Sequence, residues 1–202
     1  MLSALMEQEE VWDGVAGKWA EFRRVGKSAV VNFLMRKKGK VLDIGCGSGR
    51  HFVSSDDLEF YGVDFSEKML GLAGEKGYVE LRCASVDEVP FEDEFFDYAV
   101  FAASLHCVDS AEKRKRAVEE LFRVLKVGGE AVVTVLSKGH DRIKNKGKEC
   151  FVPWTVGGER FERYYYVYDL NELVGLFEGV GFEVVSAVED DRNISLVVRV
   201  PS

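Results

Sequence analysis

The sequence predicts an α/β fold, a mostly parallel sheet with helices on both faces, and two observations carry that expectation. From residue 40 onward, short apolar runs of strand length alternate with segments of helical period, the pattern of parallel strands joined by crossover helices. The chain has 202 residues, 47% apolar and 31% charged, with three prolines, which suits one core-forming domain and lacks the bias of disordered or fibrous sequences.

Taken in order, the segment before residue 40 reads as helical. Trp12, Val15, Ala16 and Trp19 share one face, and Val30, Phe33 and Leu34 share another after Gly26. Residues 1–38 are therefore expected to form a helical cap at or beside the carboxyl edge of the sheet. Strands are expected at Lys40–Gly45, Glu59–Asp64, Tyr78–Cys83, Phe96–Phe101 and roughly Glu130–Leu136. Between the fourth and fifth, Asp109 with Glu112 reads as a capping box. Val118, Leu121, Phe122 and Leu125 then follow at i, i+3, i+4, i+7, which makes an amphipathic helix ended by Gly128-Gly129. Lys113 to Arg116 falls on its exposed face. A second box, Asp169 with Glu172, opens a helix with Leu170, Leu173, Val174 and Phe177 inward. Gly179 to Val185 leads back into strand, and Ile194 to Val200 is its hairpin partner. Residues 137–168 are the irregular insertion, basic first and aromatic after, within a single domain spanning 1–202.

The first strand runs straight into a glycine loop, Val41-Leu-Asp-Ile-Gly-Cys-Gly-Ser-Gly-Arg50. Gly45, Gly47 and Gly49 let a ligand approach bare backbone. The spacing is G-x-G-x-G and not the G-x-G-x-x-G that seats a pyrophosphate on a helix N-terminus, and Asp43 stands two residues before it. A carboxylate there repels phosphate and suits a ligand carrying an ammonium and a sulfonium. Cys46 lies in the loop and reads as a small packed residue, since nothing in the sequence supplies an activating partner for a thiol.

These residues resemble the glycine motif of the Rossmann-like S-adenosylmethionine-dependent methyltransferases, and the resemblance extends over nearly the whole chain. It implies a seven-stranded sheet of order 3-2-1-4-5-7-6, with strand seven antiparallel, and S-adenosylmethionine as cofactor. Asp64 matches the acid that holds the ribose hydroxyls, and Phe65 is implied to lie against adenine. Cys83-Ala-Ser-Val-Asp-Glu-Val-Pro-Phe91 and Phe96-Asp97 match the third and fourth motifs, with Ser85 where the family often has Asp. Asp43, Gly45, Cys46, Gly47, Asp64, Phe65, Ser85 and Val86 are the implied cofactor-binding set.

Three further features lie outside the cofactor motifs: Ala103-Ser-Leu-His-Cys-Val-Asp109, at the carboxyl end of strand four where open α/β sheets place their active sites, Phe151-Val-Pro-Trp154 followed by Arg163-Tyr-Tyr-Tyr-Val-Tyr168, and Trp12 to Arg23. Together they resemble the tRNA methyltransferases that esterify a carboxymethyl group on the wobble uridine. The family has histidine where this chain has Cys107 and Tyr166. The resemblance implies acceptor-site roles for Arg23, His106, Arg163, Tyr164 and Tyr165, the arginines as carboxylate forks. It also implies a small zinc-binding activator protein as heterodimeric partner, covering the edge strand with Val79, Leu81 and Cys83. A methyltransferase of the same fold acting on a small metabolite, and a non-catalytic S-adenosylmethionine-binding protein, are the alternative readings. Tyr164 to Tyr168 alternate as a strand does, so half of them read as core. Trp12 and Trp19 read as core at helical spacing, and His51 and His140 as structural or solvated.

Charge bears on the acceptor. With 27 Lys and Arg against 35 Asp and Glu the net charge is −8, which argues against a generally basic, nucleic-acid-coating surface. Two local runs are basic, Lys18 to Arg50 and Lys138 to Lys148, and both are expected to flank the pocket entrance and meet the tRNA anticodon loop. Four cysteines without a C-x-x-C pair suit a reducing compartment and give no zinc site. No signal-peptide core and no run of 18 apolar residues is visible, so a cytoplasmic protein without membrane segments is expected.

Overall fold

The computed structural model describes residues 6–22 and 28–202. Two helices, α1 (Gln8–Phe22) and α2 (Ser28–Leu34), precede β1 (Gly39–Ile44), β2 (Leu58–Asp64), α3 (Glu67–Ala73), β3 (Glu80–Cys83) and β4 (Phe96–Ala102). A 3-10 turn (Leu105–Cys107), α4 (Ala111–Val124) and β5 (Leu125–Leu136) follow. The chain then forms β6 (Glu149–Val156), β7 (Glu159–Tyr166), α5 (Leu170–Val180), β8 (Glu183–Glu189) and β9 (Asn193–Arg199). The main sheet has the order β3-β2-β1-β4-β5-β9-β8. β1 to β5 pair in parallel, and β9 runs antiparallel to both β5 and β8. With β8 and β9 counted as sixth and seventh sheet strands, this is the implied order.

β1 is buried on both faces. Leu42 and Ile44 pack into the larger core with Leu121 of α4 and Phe177 of α5, whereas Val41 faces Val30 and Leu34 of α2 on the other side. That two-sided burial is why the parallel strands read as near-continuous apolar runs. Burying one such Leu or Ile contributes roughly 1.5–3 kcal/mol.

The structure differs from the sequence reading at five places. The cap of α4 is Ser110, whose side chain accepts from Lys113 N at 3.3 Å, one residue beyond Asp109. Ser110 is itself a good N-cap, and a shift of one residue is below what residue types resolve. α4 ends at Val124, and Gly128-Gly129 lie inside β5, where Gly128 (φ +76°) lets the strand bulge between Phe96↔Leu125 and Tyr98↔Glu130. The 137–168 insertion contains an antiparallel ribbon, β6 with β7, in which Pro153 is tolerated because β6 has only one neighbour. Tyr164, Tyr165 and Tyr168 are all buried, so the tyrosine run packs on both faces and not on alternate ones. Arg114 is also buried, its Nη1 donating to Val108 O at 2.9 Å and Tyr164 Oη at 3.3 Å, while its guanidinium lies 3.8 Å from the Tyr166 ring. The second capping box holds: Asp169 and Glu172 exchange both bonds at the start of α5.

Candidate active site

The carboxyl ends of β1, β2 and β4 open into a cavity of about 510 Å³, roofed by α1 through Gln8, Trp12 and Trp19. A space of this size suits a cofactor-sized ligand. The glycine loop forms its floor. Gly45 takes φ +66° and sits so close to β4 that a Cβ would lie 2.5 Å from Ser104 Cβ. Gly47 takes φ +54°, and its N–H donates to Asp64 Oδ2 at 2.8 Å, tying the loop to the end of β2. Asp64 Oδ1 accepts from Ser66 N at 3.0 Å. Burial pushes the Asp64 carboxyl up to about 6, with the Ser66 and Gly47 N–H groups pulling the other way. At pH 7 it remains mostly ionised, and hydroxyl donors placed against it would stabilise that charge further.

Ser66 connects the floor to the roof. Its hydroxyl accepts from Met69 N as the cap of α3 and donates to Asp13 Oδ1 on α1 at 2.5 Å. The roof is also tied to the ribbon, because the Gln8 side chain pairs with β7 backbone, Nε2 donating to Glu162 O at 3.2 Å and Oε1 accepting from Tyr164 N at 2.9 Å. At the end of β4, Ala103 holds φ +63°, an uncommon conformation for a residue with a Cβ, and Ser104 Oγ donates to Ile44 O at 2.9 Å. Both residues face the cavity.

Of the sequence-predicted cofactor set, Gly45, Cys46, Gly47, Asp64, Phe65, Ser85 and Val86 all line this cavity. Asp43 does not. It is buried behind the loop, where Tyr78 Oη donates to Oδ2 at 2.8 Å, and burial pushes its carboxyl up to about 7. Among the acceptor candidates, Arg23 lies outside the described residues. His106, Arg163, Tyr164 and Tyr165 are buried and set behind the cavity wall, not on it. The wall facing inward is built instead from Trp12, Trp19 and Cys107, so the two tryptophans are at once core residues and cavity lining. Arg50 and His51, which face the cavity with Arg50 Nη2 3.1 Å from His51 Nε2, lacked a distinguishing signal in sequence.

Arg163 occupies an aromatic box. Its Cζ lies 5.9, 5.1, 5.0 and 5.5 Å from the ring centroids of Trp12, Trp19, Trp154 and Tyr165, and Nη1 donates to Tyr165 Oη at 3.0 Å. No carboxylate among the described residues lies within ion-pair distance of it, and its Nε has no partner there. Burial pushes this guanidinium below its ordinary value.

The basic runs separate in space. Lys37 and Lys38 stand at the amino end of β1, opposite the cavity, and pair with Glu130 at 2.6 Å and Asp57 at 3.0 Å. In the second run Lys144 pairs with Asp141 at 2.7 Å and Lys148 with Glu172, which leaves the net cationic contribution smaller than the sequence count suggests. Among the described residues no helix is long and apolar enough to cross a membrane.

Residues 42–133 match the family model of the methyltransferase domain. A tRNA (carboxymethyluridine(34)-5-O)-methyltransferase of Arabidopsis thaliana is 33% identical over 127 residues, which cover 62% of this chain and 31% of the relative. A protein described by the same activity from Xenopus tropicalis is 30% identical over 141 residues, 69% of this chain and 22% of the relative. The chain thus spans a third or less of the length of these curated relatives. A solved complex between the Haloferax volcanii Trm112 methyltransferase activator and the putative methyltransferase shares the fold at TM-score 0.71 and 15% identity, covering 98% of this chain and 100% of that one. Strand order and solved neighbours agree on the Rossmann-like methyltransferase fold, and residues 42–133 match the methyltransferase domain within it.

Proposed function

We propose that the protein methyl-esterifies the carboxymethyl group of a modified wobble uridine in tRNA. The observation that carries this reading is Arg163: a buried guanidinium beside the cavity wall, boxed by aromatic rings, with no carboxylate within ion-pair distance among the described residues. Burying an ion without a counter-charge costs several kcal/mol, of which stacking on desolvated aromatics recovers about 2. A substrate carboxylate is the group that would complete such a site. The names of the Arabidopsis and Xenopus relatives support the same acceptor.

S-adenosylmethionine supplies an electrophilic methyl group on a sulfonium. Asp64 would hold the ribose hydroxyls, Phe65, Ser85 and Val86 the adenine, and the Gly45-Cys46-Gly47 backbone the amino-acid end, with Asp43 acting through the loop and Tyr78. The fit is chemical: an ionised acid takes hydroxyl donors, and a floor without side chains admits a ligand against backbone. A carboxylate is already ionised at pH 7, so no general base is required. The contribution of the chain is position, and aligning two reacting atoms can supply roughly 7–11 kcal/mol. His106 packs edge-on to Tyr165 at 5.1 Å between ring centroids and would fix the orientation of the arginine's partner.

A small zinc-binding activator in a heterodimer is part of the proposal. β3 is a four-residue edge strand, and Val79 just before it is 59% exposed, which is surface that a partner would cover. A monodisperse and fully active monomer would count against it.

The test incubates the protein, with and without candidate activators, with methyl-labelled cofactor and bulk tRNA. Label in tRNA that is released by mild alkali identifies an ester. Label confined to small molecules sinks the tRNA reading, as does tight cofactor binding without transfer. Arg163→Ala is expected to abolish transfer while leaving S-adenosylhomocysteine binding intact, and retained transfer would remove Arg163 from the site.

A further inference from the structure

A second guanidinium stands beside Arg163. Arg142, in the segment between β5 and β6, places its Cζ 5.4 Å from the centroid of the Trp19 ring that Arg163 approaches at 5.1 Å. The two guanidiniums share the Trp19 ring, Arg163 Nη1 also donates to Tyr165 Oη at 3.0 Å, and the Arg142 charge, like that of Arg163, opposes the upward shift that burial gives the Tyr165 phenol. The nearest acid in sequence, Asp141, is engaged with Lys144 at 2.7 Å, and no ion pair to Arg142 occurs among the described residues. Two like charges over one indole repel each other, and neither has an ion-pair partner among the described residues. Arg163 is 1% exposed with its Nε unpartnered, whereas Arg142 is only half-buried, so the pair can be reached from the Arg142 side.

Proteins do not keep two adjacent guanidiniums without counter-charge for stability's sake, because each buried unpaired charge costs free energy that an apolar side chain would not. We propose that Arg142 and Arg163, with the Tyr165 hydroxyl bonded to Arg163, form one oxyanion-binding site that takes an anionic group of the methyl acceptor. Two planar forks and a phenol offer donors on several sides of a carboxylate or a phosphate. Arg142 is thereby a positioning residue for the acceptor, contributed by the insertion, and in sequence it is marked only as one member of the basic run from Lys138 to Lys148. The identity of the natural anion rests on the acceptor reading above; the existence of the site does not.

The experiment measures thermal unfolding of the full chain in chloride, acetate and inorganic phosphate at constant ionic strength, for the parent protein and for Arg142→Met, Arg142→Gln and Arg163→Met. The parent is expected to show a concentration-dependent rise with acetate or phosphate over chloride, and all three variants are expected to lose it. Arg142→Met should unfold at the same or a higher temperature in chloride, since the substitution relieves repulsion. S-adenosylhomocysteine binding should be unchanged. A response led by acetate points to the carboxymethyl group, and one led by phosphate to the nucleic-acid backbone. A parent that responds to neither anion, or either Arg142 variant retaining the full response, overturns the site. Because no RNA and no turnover are involved, that failure is separate from failure of the labelling assay.

Discussion

Gly45→Ala tests how the floor of the cavity is built. The residue sits at φ +66°, where a side chain costs about 1–2 kcal/mol. The new Cβ would also stand 2.5 Å from Ser104 Cβ and 2.7 Å from Ser104 Oγ. Ser104 cannot easily yield, because its hydroxyl is anchored on Ile44 O at 2.9 Å, so the overlap adds about 1–3 kcal/mol. The sum of about 2–5 kcal/mol corresponds to a fall of roughly 4–20 °C in the unfolding temperature for a chain of this size. The assay is thermal unfolding with and without S-adenosylhomocysteine, on Gly45→Ala, Ser104→Gly and the double variant. Removing the Ser104 side chain should return the overlap share and leave the backbone share, so the double variant should be more stable than Gly45→Ala alone. Ligand-induced stabilisation should be lost in Gly45→Ala. An unfolding temperature within a degree of the parent, or additive effects in the double variant, would refute the reasoning.

Other outcomes follow from the same network. Asp43 is raised by burial from 3.8 to about 7, so the folded state holds a proton that the unfolded state has released, and the associated stability is complete below about pH 4 and disappears as pH rises through 7. Asp64, raised to about 6, acts in the same direction over a narrower window. Chemical denaturation of the cofactor-free protein between pH 5 and 7.5 should therefore show falling stability, and Asp43→Asn should flatten the slope; parallel profiles would show that Asp43 is not the group responsible. Gln8→Ala leaves Tyr164 N–H without its acceptor, a loss of about 1–3 kcal/mol localised to the joint between α1 and β7. Limited proteolysis should then cut α1 faster while the sheet core stays resistant, and unchanged cleavage would mean that Gln8 does not hold the roof.

Alternating apolar runs were enough to read a mostly parallel sheet, because local period is written residue by residue, while the resemblance carried by the glycine loop and Asp64 implied the strand order and a set of eight residues of which seven line the cavity. Asp43 was the exception: spacing places it near the loop, but only packing decides that its carboxylate turns away to Tyr78. The acceptor side was less legible. His106, Arg163, Tyr164 and Tyr165 were identifiable as a group, and the structure does gather His106, Arg163 and Tyr165 around one another. It places them a layer behind the wall made by Trp12, Trp19 and Cys107.

The sequence by itself determined the fold class and the glycine loop, since these depend on short-range period, turn chemistry and spacing, and its motifs carried the resemblance to methyltransferases. Tertiary structure alone decided which cations are neutralised, which face the cavity and which are left together. Lys37 and Arg142 look alike in a basic run, yet one is paired with Glu130 at the far end of the sheet and the other stands beside Arg163 over Trp19. Charge pairing is a property of distance across the fold, and residues 93 positions apart, as Lys37 and Glu130 are, meet only once the chain has folded.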